Sequence, residues 1–172
     1  VINGKVVRGA TNAAGELGHI KLQMNGGPIC GCGDTGCLEA FASGPAIVAM
    51  AQEYIKGGKS TKFREMAAVE GGEITPYMVA KAAEEGDPVA KRIFEIVGEY
   101  IGIGLTSVIN LLNPERVIIG GGVAESGELL LGPIRKTIKE RAMVVAGNAV
   151  EIVPAQLGNS AGVIGASMLI EG

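Results

Sequence analysis

The sequence predicts an α/β fold. From residue 88 onward the pattern runs helix, strand, helix, strand, helix, which is the order of a parallel sheet with helices packed on it. Gly is abundant (28 residues) and aromatics are scarce (3%), a balance suited to tight turns and close backbone approaches. With 172 residues and 47% apolar content, the chain can bury a substantial core as one domain or as one domain with a small appendage.

Taken in order, Val1 to Arg8 read as a hairpin around Asn3-Gly4. The chain thus opens inside a strand, and we expect an upstream part to lie outside these residues. Residues 9 to 42 form a Gly-rich loop with no helix or strand period through residue 39, a length that needs another source of order. Ser43 and Pro45 open a helix to about Ile55, ended by Gly57-Gly58. Residues 59 to 72 are polar, with room for a short helix, and Thr75-Pro76 caps a helix ending near Gly86. Asp87 and Pro88 begin a long helix to about Leu112, stopped by Asn113-Pro114. The second half of that helix is apolar nearly all round and should be buried between layers. Gly98, Gly102 and Gly104 within it would let a neighbour approach closely. Arg116 to Ile119 is a strand, Gly120-Gly121-Gly122 a turn, and Ser126 starts a helix over about Glu128 to Ala142, in which Pro133 marks a kink or a later start. Val150 to Val153 is the next strand, and Gly158-Asn159-Ser160 leads into a last helix over Ala161 to Ile170.

Composition excludes several function classes. The net charge of −3 without a basic block argues against nucleic-acid binding through this segment. The longest apolar stretch, Ile101 to Leu112, is interrupted by Thr106, Ser107 and Asn110, so no membrane span is expected. Of 18 acidic residues only Asp34 and Asp87 are aspartates, one inside the cysteine loop and one at a helix start. Neither reads as a free catalytic base.

The loop holds the chemistry. His19, Cys30, Cys32 and Cys37 fall within 19 positions and include the only histidine and all the cysteines. Thiolates with an imidazole suit a closed tetrahedral Zn²⁺ site of structural type. The cysteines sit among Gly, Asp and Thr rather than on an apolar face, which favours metal over simple burial and fits a reducing, cytoplasmic compartment. A metal that fixes the loop would also fix Glu16, three residues before His19, and Glu39, two after Cys37; ionised carboxylates could accept protons from polyol hydroxyls. The turn Gly120-Gly121-Gly122 is ambiguous between a simple tight turn and a backbone approach to a nucleotide.

Gly15-Glu16-Leu17-Gly18-His19 and Cys30-Gly31-Cys32-Gly33-Asp34-Thr35-Gly36-Cys37-Leu38-Glu39 resemble the ROK family of bacterial sugar kinases and sugar-responsive repressors, and Val117 to Val123 and Gly158 to Gly162 add support. The resemblance implies an actin-like ATPase (ribonuclease H-like) domain with a zinc-binding loop insertion, and a cleft between two domains for a hexose and ATP with Mg²⁺. It implies that His19, Cys30, Cys32 and Cys37 hold zinc, that Glu16, His19 and Glu39 bind sugar, and that Gly120, Gly121 and Gly122 approach adenosine. His19 would place one ring nitrogen on zinc and turn the other toward the sugar. On this reading residues 9–42 are the zinc and sugar loop, 43–112 a helical segment and 113–172 the nucleotide side of a C-terminal domain whose N-terminal partner lies outside the chain.

The family's kinases also carry an Asp-x-Gly-Gly-Thr phosphate loop, an Asn-Asp pair supplying the catalytic base and a Gly-Thr-Gly turn, none of which occurs in these residues. The expected function is therefore the C-terminal part of an ATP-dependent hexose kinase, a glucokinase first, inactive by itself. The sugar-sensing portion of a repressor is the alternative, and a zinc-stabilised interaction domain without ligand is the third reading. Glucose is favoured over an N-acetylhexosamine by family likeness alone. The apolar half of the long helix and the Gly-rich last helix could pack on the absent domain or on a second copy, and a homodimer or larger homo-oligomer is expected.

Overall fold

The structure, a computed structural model, describes residues 1–168. Its elements are helices α1 (Leu38–Ala42), α2 (Gly44–Lys56), α3 (Lys62–Val69), α4 (Pro76–Glu84) and α5 (Pro88–Leu112), strand β1 (Arg116–Ile119), helices α6 (Glu128–Arg141) and α7 (Val144–Ala149), strand β2 (Glu151–Pro154) and helix α8 (Ala161–Met168). Short 3-10 turns at Leu17–His19, Gly122–Ser126 and Gly158–Ser160 complete the order. β1 and β2 pair in parallel, Arg116 opposite Glu151 through Ile119 opposite Pro154, with α6 and α7 in the crossover between them.

α5 is the axis of the molecule. Asp87 caps it, its carboxylate accepting from the N–H groups of Val89 (2.8 Å) and Ala90 (3.0 Å) and also from that of Lys62 (2.7 Å) at the start of α3. Burying this acid is tolerable because its charge is met by backbone donors. At the far end Asn113 takes a left-handed conformation (φ 43°) and Pro114 forbids continuation. Ile93, Phe94, Val97 and Ile109 of α5 are fully buried with Ile47, Phe63, Val79 and Ile134 from four other helices. Each such side chain contributes about 1.5–3 kcal/mol of hydrophobic stabilisation.

The glycines of α5 explain how tightly its neighbours sit. A Cβ added at Gly98 would lie 2.6 Å from Pro133 Cβ, and one at Gly102 would lie 2.6 Å from Thr137 Cβ. α6 therefore packs with its backbone nearly against that of α5. On another face, a Cβ at Gly104 would lie 2.7 Å from Leu38 Cδ2 and 3.3 Å from Ile20 Cδ1, so the loop that carries the cysteines rests on this helix.

Ser43 and Thr75 accept from the N–H groups of Ala46 (3.4 Å) and Met78 (3.2 Å) as N-caps, as their positions predict. Three expectations need correction and a fourth narrows. The second half of α5 is not buried all round: Gly102, Gly104, Leu105 and Ile109 face inward, whereas Leu111 and Leu112 are exposed, because neighbours cover only part of that half. Ser126 does not start α6; its hydroxyl donates to the carbonyl of Val123 (2.7 Å), and Gly127 is the N-cap. Of the two readings of Pro133 the later start is excluded, because the residue lies inside α6. The opening hairpin is reduced to one antiparallel bridge, Ile2 and Lys5 exchanging both backbone bonds (2.9 and 3.0 Å) around Asn3-Gly4.

α7 carries no helix signal of its own and was not expected, and β2 is shifted by one residue from the expected strand. Leu169 and Ile170, expected as the end of α8, lie outside the described residues. The 25-residue α5 is long and apolar enough by composition to cross a membrane. Interruption by Thr106, Ser107 and Asn110 does not shorten it, since all three are accommodated in the helix. Its apolar face is met by α6, α4, α1 and α2, the arrangement of a core helix.

Candidate metal and sugar site

Backbone hydrogen bonds cross the loop before α1 at several points. Ile20 O accepts from Leu38 N–H (3.0 Å), Gly36 O accepts from the N–H groups of Leu22 (2.9 Å) and Gln23 (3.3 Å), and Gly36 N–H donates to Pro28 O (3.1 Å). Antiparallel bridges join Lys21 to Cys37 and Ile29 to Thr35. Gly36 has φ 74° and is buried where a Cβ would collide with the carbonyl of Gln23, so only glycine closes this crossing. A tight turn from Cys30 to Asp34, with Cys30 N–H on Asp34 O (2.7 Å) and Gly33 N–H on Cys30 O (2.9 Å), folds Cys30 and Cys32 back toward Cys37.

One ligand atom from each of His19, Cys30, Cys32 and Cys37 lies within 4.8 Å of all the others. His19 Nδ1 is 3.6 Å from Cys30 Sγ, and Cys32 Sγ is 3.9 Å from Cys37 Sγ. Zn–S bonds of about 2.3 Å and Zn–N bonds of about 2.0–2.1 Å, set tetrahedrally, separate ligand atoms by roughly 3.5–3.8 Å. The four side chains therefore fit zinc in number, chemistry and spacing. Cys30 and Cys37 are buried and Cys32 is exposed. At Cys30 a backbone hydrogen bond from Cys32 favours the thiolate, but burial and the adjoining Cys32 and Cys37 thiols outweigh it and push the group up to about 11. Cys32 is lowered, chiefly by a backbone hydrogen bond from Asp34 and then by Cys30. A metal ligates the thiolate form, so its binding would require the Cys30 proton to leave.

Both expected carboxylates meet the histidine. Glu16 Oε2 is 3.9 Å from Nε2 of His19 and Glu39 Oε2 is 3.7 Å from Nδ1. Glu39 Oε2 also lies 3.7 Å from Cys30 Sγ. Glu16 and Glu39 are more than half exposed, so their oxygens remain open to a ligand. The ring thus turns Nδ1 toward the cysteines and Nε2 toward Glu16.

Lys21 escaped the sequence reading. Its ammonium donates to Asp34 Oδ2 (2.6 Å), Thr35 O (2.8 Å) and Cys37 Sγ (3.3 Å). The ion pair raises Lys21 and lowers Asp34. Lys21 and Asp34 are 13 positions apart in the sequence, and nothing in their spacing signals that they meet.

The Gly120–Gly122 turn belongs to a different place in the fold. Gly121 has φ 94°, and Gly122 lines a cavity of about 570 Å³ with Tyr77, Ala80, Lys81, Phe94 and Val123. None of the loop residues lines that cavity. Tyr77 and Lys81 stand one helical turn apart on α4, a pairing the sequence offers no motif to reveal.

Comparison with known proteins places this geometry in a family. The chain is 36% identical over 171 residues to a glucokinase of Halalkalibacterium halodurans, covering 99% of the chain and 52% of that protein. It is 34% identical over 170 residues to a xylose repressor of Caldicellulosiruptor bescii, covering 99% of the chain and 42% of the repressor. The crystal structure of a ROK family glucokinase from Streptomyces griseus in complex with glucose and AMPPNP superposes with a TM-score of 0.85 at 36% identity, over 100% of this chain and 56% of that one. The chain thus spans about half the length of the curated relatives it matches, and its fold is the actin-like ATPase fold of the ROK sugar kinases. The ROK family model matches residues 1–172 from end to end, so the loop of His19 and the three cysteines, the parallel β1–β2 pair and the helices around α5 are those of a ROK protein, and the chain belongs to the ROK family.

Proposed function

We propose that this chain is the C-terminal part of an ATP-dependent hexose kinase, a glucokinase, which transfers phosphoryl from ATP to the sugar 6-hydroxyl. The observation that carries this reading is the convergence of Glu16 and Glu39 on the two ring nitrogens of His19 beside the cysteine cluster. Two exposed carboxylates and an imidazole edge make a set of acceptors and a donor matched to adjacent sugar hydroxyls. Zinc held by His19, Cys30, Cys32 and Cys37 would supply structural order to the loop and fix the tautomer of His19. Glu16 and Glu39 then orient the hexose, and the Nε2 side of His19 bounds it.

Gly120 to Gly122 and the cavity beside Tyr77 are read as the adenosine side of the nucleotide site, with phosphates and Mg²⁺ directed toward the rest of the protein. Phosphoryl transfer needs positioning, charge stabilisation and a base. Asp34 is tied to Lys21 and Asp87 caps α5, so the base belongs to the part of the protein outside this chain. The segment alone is therefore expected to be inactive. Division of the chain at residues 42 and 112 into sugar loop, helical segment and nucleotide side follows the same reading, as do a cytoplasmic site of action and a homo-oligomeric protein.

A second reading has specific support. The xylose repressor of C. bescii is nearly as similar as the glucokinase, and a repressor's sensing domain could use the same carboxylates to bind sugar without phosphorylating it. Assay of the full-length protein for sugar-dependent ADP formation separates the two. Turnover with glucose supports the kinase, whereas sugar binding without turnover supports the sensor.

A further inference from the structure

We propose that Lys21 is a positioning residue of the thiolate cluster, holding the cysteine loop closed and donating an N–H to the Cys37 sulfur of the loaded metal site. This rests on the reading of His19, Cys30, Cys32 and Cys37 as zinc ligands. Three thiolates around Zn²⁺ leave one net negative charge, and the Lys21 ammonium is 3.3 Å from Cys37 Sγ. An N⁺–H donor on a ligating sulfur stabilises the thiolate form, the role that outer-shell partners play at metal sites.

Geometry separates this lysine from an ordinary surface ion pair, which is mobile and contributes little. An ammonium has three N–H donors, and Lys21 has one acceptor for each: the Asp34 carboxylate at 2.6 Å, the Thr35 carbonyl at 2.8 Å and the Cys37 sulfur at 3.3 Å. These acceptors come from the segment Asp34 to Cys37, while Lys21 itself follows His19 by two residues, so the side chain ties together the two stretches that supply the ligands. The backbone agrees, since Lys21 and Cys37 form an antiparallel bridge. Asp34 is anchored in turn by accepting from Thr35 N–H (2.7 Å), which fixes where the ammonium sits. Asp34 lies on the ammonium itself, Glu39 and Glu16 lie against His19 and add negative charge, and among the described residues Lys21 is the cation that donates to a sulfur of the cluster.

The test uses the full-length protein and measures zinc affinity by competition with a chelating indicator, with Co²⁺ substitution to read the thiolate-to-metal charge-transfer band. Lys21→Met keeps most of the stem and removes the charge and the donors; zinc affinity should fall about 10- to 100-fold and the charge-transfer band should shift. Lys21→Arg should recover most of the loss, and Asp34→Asn, which frees the ammonium, should give a smaller drop. Equal affinity and an unshifted band for Lys21→Met would overturn the proposal, as would an Arg variant no better than Met. Should Lys21→Met fail to fold, Asp34→Asn decides: a fall in zinc affinity with a shifted band supports the proposal, and unchanged affinity and band overturn it. Failure of the unsubstituted protein to bind zinc contradicts the metal-site reading instead, so the two failures are distinguishable.

Discussion

Glu16 and Glu39 approach the two ring nitrogens of the same imidazole: Glu16 Oε2 is 3.9 Å from His19 Nε2 and Glu39 Oε2 is 3.7 Å from His19 Nδ1. Glu39 sits in the first turn of α1, directly after the cysteine loop, and Glu16 precedes the 3-10 turn that presents His19. Charge-assisted hydrogen bonds to a ligand are worth about 1.5–3 kcal/mol each. Glu16→Gln and Glu39→Gln in the full-length protein should each weaken glucose binding by about 10- to 100-fold, with zinc content unchanged. Titration calorimetry alongside metal analysis checks both halves of that expectation.

Removal of the metal should act locally. In the proposed zinc site the ligand set adds to the few backbone bonds that cross the loop, whereas α5 and its neighbours share a continuous apolar core. A strong chelator should therefore abolish protection of amides 17–37 in hydrogen exchange and leave those of Ile93 to Ile109 protected. Loss of protection throughout the chain would show that the core depends on the loop.

Metal uptake should release protons. With Cys30 pushed up to about 11, its thiol is protonated at neutral pH in the metal-free cluster and must lose that proton to ligate. Proton binding and metal binding then compete, so affinity falls as pH falls. Zinc titrations in buffers of different ionisation enthalpy should return a positive proton-release count at pH 7, and zinc retention should decline on acidification.

Close packing of α5 on α6 gives a stability prediction. A Cβ at Gly98 would meet Pro133 Cβ at 2.6 Å and Leu130 O at 3.1 Å, contacts that include backbone and ring atoms unable to rotate away. Overpacking of this type costs about 1–3 kcal/mol, more than the roughly 1 kcal/mol that Ala gains over Gly in a helix. Gly98→Ala should lower the urea midpoint of unfolding despite its better helix propensity.

Much of this was legible in the residues. Asp87-Pro88 and Asn113-Pro114 bound α5 at the positions expected, because caps and prolines act through local sterics and hydrogen bonds that need no tertiary context. The cluster of His19 with the three cysteines was legible because soft side chains concentrated in a Gly-rich loop have few other uses. Lys21 was not, since its three acceptors are brought to it only by the crossing of two loop segments. Nor was the exposure of Leu111 and Leu112, for apolar character says that a side chain prefers cover but not whether a neighbour in the same chain supplies it. α7 was missed for the related reason that Val144-Val145-Ala146 has no cap and no amphipathic period, and its helix is set by contacts with α5 and α6. The cavity at Gly122 needed α4 to be placed beside the glycine turn before Tyr77 and Lys81 could be connected with it.

The central claim is that the metal clasp exists to aim Glu16, His19 and Glu39 at a hexose. It is tested most directly by titrating glucose into the full-length protein in its zinc-loaded and zinc-stripped forms. The account predicts saturable one-to-one binding with zinc that is lost when zinc is removed and regained when it is restored. Glucose affinity that is the same in both forms would contradict it.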